Sequence, residues 1–149
     1  MCWAIERGFA SEARAPSAAR HFVGTALVGL LAPLGQTDTL ADAELVVSEL
    51  VTNSVRSGAA AVRVGVELHH GELELDVADD GPGWPTLAPV DMHQANGRGL
   101  ILVDALADHW QVEPIESGGK RVRVVLAVAA ELTTLLHCRR PPVGQAGHG

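Results

Sequence analysis

From Ala61 to Ala78 the sequence alternates apolar and polar residues with a period of two, the spacing of a strand with one buried face. Val62, Val64, Val66 and Leu68 point one way while Arg63 and Glu67 point the other, and after the turn "HHGE" the residues Leu73, Leu75 and Val77 repeat the pattern. A one-residue slip would send every one of these apolar side chains to water, so the hairpin's register is fixed by its own sequence. Two strands are only marginally stable alone, and the apolar face must find a covering layer.

Other segments supply more strands. Trp110 and Val112 begin a strand, "ESGGK" turns it, and Val122, Val124, Leu126 and Val128 alternate in its partner. Trp3 to Phe9 alternates weakly, as an edge strand does.

The covering layer is helical. Pro16 suits the first turn of a helix in which Ala19, Phe22, Val23, Ala26, Leu27 and Leu30 recur at helical spacing, and Pro33 with Gly35 ends it. A second helix is expected to start near Thr39, capped by Asp38 or Thr39, with Asp42 in its first turn. Leu40, Ala43, Val47, Leu50, Val51 and Val55 form its buried side, and Gly58 stops it. A third runs from Leu100 to Ala107. The order β-α-α-β-β-α-β-β reads as an α/β two-layer sandwich (α+β), with a mixed, mostly antiparallel sheet and three helices on one face. A single domain over 1–130 and a disordered tail over 131–149 complete the expected layout.

Bulk properties narrow the function. A formal charge of −7, with Lys120 as the sole lysine, argues against a partner of nucleic acid, which needs clustered cations on the protein surface. The most membrane-like run, His21 to Gly35, is too short to span a bilayer and reads as a core helix, so no membrane partner is expected. Cys2 and Cys138 lie far apart without ligand spacing, which suits a reducing cytoplasm.

The chemistry is concentrated in three places. In "SELVTNSVRSG", Glu49 and Asn53 stand four residues apart on one helix face with Arg56 beyond them, while Leu50, Val51 and Val55 hold the other side. "DDGPGW" follows a strand directly, so Asp79 offers an acceptor at the strand end and Gly81 and Gly83 let a flat ligand approach the backbone. "NGRGL" opens a helix, where Gly97 and Gly99 free a loop whose amides suit phosphate. Between these lies a loop with three prolines and four glycines, "DDGPGWPTLAPVDMHQANGRG", too broken for regular structure. Ser48, Ser54 and Ser57 show no nucleophilic arrangement with His and Asp. His69 and His70 read as solvated turn residues, and Trp110 reads as core.

Taken in order, these segments resemble the GHKL superfamily of ATP-binding domains with the Bergerat fold, and most closely the bacterial anti-sigma-factor serine/threonine kinases and their actinobacterial relatives. "ELVTNSVRSG" looks like the N box, "DDGPGWP" and "GRGLILVDALADHW" like the two glycine boxes, and "GGKRVRVVLAV" like the final hairpin. The resemblance covers about Trp3 to Ala130.

It implies ATP and Mg²⁺ as cofactors, with Asn53 as the metal ligand and Glu49 as the catalytic base. It implies contacts to the nucleotide from Asn53, Arg56, Asp79 (to the adenine amine), Gly81, Gly83, Gly97, Arg98, Gly99 and Leu100. The implied function is a regulatory kinase that holds a sigma factor or other regulator and phosphorylates a serine on a small antagonist protein. The alternatives are a non-catalytic, ATP-dependent interaction module and the stand-alone catalytic domain of a histidine kinase. A homodimer is what the family suggests. Two departures stand out: Arg121 occupies the place where the family often has a threonine near the adenine, and the lid between Gly83 and Gly97 is short.

Overall fold

The architecture was read from a computed structural model, which describes residues 3–69, 71–82 and 98–135. In chain order the elements are β1 (Trp3–Ala10), α1 (Ala15–Leu31) with a 3-10 turn at Ala32–Leu34, α2 (Thr37–Arg56), β2 (Ala61–His69), β3 (Glu72–Asp79), α3 (Arg98–Leu106), β4 (His109–Pro114), β5 (Lys120–Ala127) and α4 (Ala130–Leu135). The five strands form one sheet in the order β1-β2-β3-β5-β4, with every described pairing antiparallel. The two hairpins expected from the alternation are β2-β3 and β4-β5, and they join through β3 and β5.

The alternation decides which face is buried. Val62, Val64, Val66 and Leu68 of β2, Leu73, Leu75 and Val77 of β3, and Val122, Val124 and Leu126 of β5 all turn inward against the helices. Ala19, Val23, Leu27 and Leu31 meet them from α1, one residue per turn, with no solvent exposure. Length and composition alone would let α1 with its 3-10 extension cross a membrane, but this buried stripe makes it a helix of the sandwich core. Full burial of each leucine in this layer contributes about 1.5–3 kcal/mol.

The opposite sheet face carries charge. Arg63 pairs with Glu6, Arg121 with Asp76 at 3.1 Å, and Arg123 with Asp76 at 3.4 Å and Glu113 at 3.3 Å. At the far end of this face, His69 Nε2 lies 3.0 Å from Glu67 and 3.1 Å from Glu74. His69 is therefore the last residue of β2, paired opposite Glu72, and not a turn residue. His70 lies outside the described residues.

Helix α2 starts two residues earlier than its capping residues suggested. Gln36 is the N-cap and makes no side-chain cap; its Oε1 instead accepts from the Ala129 amide at 2.8 Å, tying the helix start to the end of β5. Its buried residues include Val46 and Ser54, while Leu40 and Val55 are only half-buried. The helix ends as Gly58 predicts: Gly58, at φ 84°, and Ala59 return their amides to Val55 and Ser54, a Schellman arrangement. Trp110 is half-buried against the core, its indole N–H donating to Asp104 at 2.9 Å. The tail expected from 131 onward begins with α4, whose Leu132 is buried in the core, and residues 136–149 lie outside the described part.

Candidate functional site

The C-terminal half of α2 and the ends of β3 and β5 converge at one edge of the sandwich. The period of α2 turns Leu50, Val51 and Ser54 into the core, which leaves Glu49 and Asn53 half-buried on an adjoining face, with Arg56 exposed in the last turn. Among the described residues the side chains of Glu49 and Asn53 have no hydrogen-bond partner. Asn53 thus presents a carboxamide oxygen, a hard donor of the kind Mg²⁺ accepts beside phosphate oxygens and water. The residue fits a magnesium ligand.

Asp79 is the last residue of β3 and faces inward with the odd-numbered residues of that strand. Its carboxylate is almost fully buried, and burial of a charge requires partners. Three are present. Ser54 Oγ donates to Oδ2 at 2.5 Å, the Gly81 amide donates to Oδ1 at 2.9 Å, and Lys120 Nζ donates to Oδ1 at 3.0 Å. Lys120 Nζ also lies 3.4 Å from Ser57 Oγ, which itself donates to the Ser54 carbonyl at 3.0 Å. The next residue, Asp80, accepts the amides of Ala60 and Ala61 at 2.8 and 3.1 Å, which hold its carboxyl below the usual range and fix the strand end against the start of β2.

Two glycines make this convergence sterically feasible. A Cβ on Gly81 would sit 3.1 Å from the Ala59 amide nitrogen and 3.2 Å from Ser57 Oγ, so the chain here touches the end of α2. Gly119, at φ 93°, passes so close to β3 that a Cβ would lie 1.9 Å from the Asp79 carbonyl oxygen. That close pass sets Lys120 directly opposite Asp79 in the ladder.

Arg121 is not the residue beside Asp79. It lies on the outer sheet face against Asp76, and Lys120 takes the inner position. Alternation carried back from Val122 would have shown this, since Lys120 shares its parity. Leu100 is 2 % exposed and belongs to the core, so only its backbone is left to offer a ligand. Arg98 and Gly99 open α3, which packs on α2. Gly83 and Gly97 lie outside the described residues. Ser54, passed over as a nucleophile, proves to be a partner of Asp79, with no histidine among the residues bonded to it.

An open antiparallel sheet backed by helices, with a polar α2 face beside an Asp-x-Gly strand end, defines an α+β domain of the Bergerat ATP-binding class. The family model for the histidine kinase-like ATPase domain matches residues 9–126, and the chain belongs to that family. It is similar to the anti-sigma F factors of two Clostridium botulinum strains, Eklund 17B and Alaska E43. Each is 28% identical over 118 residues, covering 69% of this chain and 82% of the relative. Among solved structures, a histidine kinase domain from the Erythrobacter litoralis EL346 blue-light activated histidine kinase aligns with a TM-score of 0.43 at 24% identity, over 68% of this chain and half of the other.

Proposed function

We propose that the chain is a cytoplasmic regulatory serine/threonine kinase of anti-sigma-factor type, which binds Mg·ATP, holds a sigma factor or similar regulator, and phosphorylates a serine on a small antagonist protein. The observation that carries this reading is the Ser54–Asp79 hydrogen bond of 2.5 Å, which locks the helix bearing Glu49 and Asn53 to the strand end bearing Asp79. Phosphoryl transfer depends mainly on positioning and charge neutralisation, and a rigid link between base site and phosphate site supplies the first. Similarity to relatives named anti-sigma F factor supports the partner class.

In this reading Asp79 accepts from the adenine amine, and Gly81 lines the adenine pocket with its backbone. Asn53 would hold Mg²⁺ through its side-chain oxygen, and the ion when bound neutralises phosphate charge. Glu49, one turn before Asn53, takes the proton of the attacking serine hydroxyl. The N-terminus of α3, with Arg98 and the Gly99 and Leu100 amides, faces the phosphates. Gly83, Gly97 and Arg56 complete the proposed nucleotide contacts, and the active species is a homodimer. The test is incubation with labelled Mg·ATP and a candidate antagonist: the antagonist should acquire label, and Glu49→Ala should abolish this while nucleotide binding persists. Binding without transfer to any candidate would favour the interaction-module reading.

A further inference from the structure

Lys120, the sole lysine of the chain, is 5% exposed, although lysines are almost never buried without a paired charge. Its pairing with Asp79 balances the charge, but the surroundings hold more than balance requires. Asp79 already has the Ser54 hydroxyl and the Gly81 amide, and Gly119 is pressed against β3 in a conformation few residues adopt. The backbone is thus shaped to bring Lys120 to this place.

The unused bonding capacity is specific. A carboxylate accepts about four hydrogen bonds, and among the described residues three donors reach Asp79, two on Oδ1 and one on Oδ2, which leaves one acceptor site on Oδ2. An ammonium has three protons; among the described residues one goes to Asp79 and one is directed at the more distant Ser57 hydroxyl, leaving a third. The pair therefore offers an acceptor on Asp79 Oδ2 and a donor on Lys120 Nζ, carried by two groups held together by the 3.0 Å contact between Nζ and Oδ1. An adenine edge offers the complement, a donor amine next to the acceptor N1.

We propose that Lys120 is a second base-reading residue, donating to the ring nitrogen N1 of adenine while Asp79 accepts from the neighbouring amine. This rests on the reading of Asp79 as the adenine acceptor. Lys120 would make the site depend on N1, a dependence that a carboxylate alone does not create.

Nucleotide analogues test this on the wild-type protein. Affinities for Mg·ATP, Mg·1-deaza-ATP, which lacks the N1 acceptor, and Mg·7-deaza-ATP, which keeps it, are measured by calorimetry. Loss of a hydrogen bond from a charged donor predicts at least about tenfold weaker binding of 1-deaza-ATP, with 7-deaza-ATP close to ATP. Lys120→Met should bind ATP and 1-deaza-ATP equally, at the weaker level. Equal wild-type affinity for ATP and 1-deaza-ATP overturns the proposal, as does undiminished discrimination in the folded variant. Failure of the wild-type protein to bind ATP at all would instead overturn the underlying nucleotide reading.

Discussion

Ser54 and Asp79 meet hydroxyl to carboxylate at 2.5 Å, joining α2 to the end of β3 across 25 residues of sequence. Both side chains are buried, and this bond sets the helix face that carries Glu49 and Asn53 at a fixed place relative to the strand end. Ser54→Ala removes a donor from a buried charge. The expected cost is about 1.5–3 kcal/mol in urea unfolding, and a loss below about 0.5 kcal/mol would show that the bond carries little of the junction.

Gly118 and Gly119 separate backbone strain from collision. Both have positive φ, 97° and 93°, but a Cβ at Gly118 meets open space while one at Gly119 meets the Asp79 carbonyl at 1.9 Å. Gly118→Ala should cost about 1 kcal/mol, the ordinary penalty for a left-handed alanine, and Gly119→Ala clearly more. Equal losses in thermal or urea unfolding would mean that the hairpin does not press on β3 as described.

The Lys120–Asp79 pair is a further stability prediction, separate from any ligand. Removing either partner from a buried ion pair leaves the other charge uncompensated, at about 3–5 kcal/mol. Asp79→Leu and Lys120→Met should each fall in that range, and the double variant should cost clearly less than their sum. Additive losses would indicate that the two groups do not act on each other.

Asp76 predicts a pH dependence from the outer sheet face. Burial pushes its carboxyl up to about 6, against the opposing pull of Arg121 and Arg123. A folded-state value above the unfolded one means that the stabilising contribution is complete below the ordinary carboxylate value of 3.8 and is lost as pH rises through about 6. Unfolding free energy of the wild type should therefore fall relative to Asp76→Asn by about 2 kcal/mol between pH 4 and 7, allowing for partial exposure. Parallel curves for the two proteins across that window would contradict the assignment.

The two hairpins and the polar face of α2 were legible because each rests on periodicity, a local property. The joining of β3 to β5 was not, since both strands are apolar on one face and nothing in a single strand names its neighbour. Gln36 shows the same limit at the start of α2: its side chain serves Ala129, a contact between residues 93 apart, and local capping chemistry pointed to Asp38 or Thr39 instead. Ser54 and Lys120 were legible in principle. Ser54 follows Leu50 and Val51 on the buried stripe, and Lys120 shares the parity of Val122, but their polar character drew attention away from the core side where they meet Asp79. The residues between Gly83 and Gly97 lie outside the described structure.

The central claim is that Asp79 and the Glu49/Asn53 face form one adenine-nucleotide site. Calorimetric titration of Mg·ATP into the wild type and into Asp79→Asn, with the variant's fold confirmed by circular dichroism, tests it most directly. The account predicts measurable wild-type binding and at least about tenfold weaker binding by the variant, from the loss of a charged acceptor for the amine. Equal affinity of the two proteins for Mg·ATP would contradict it.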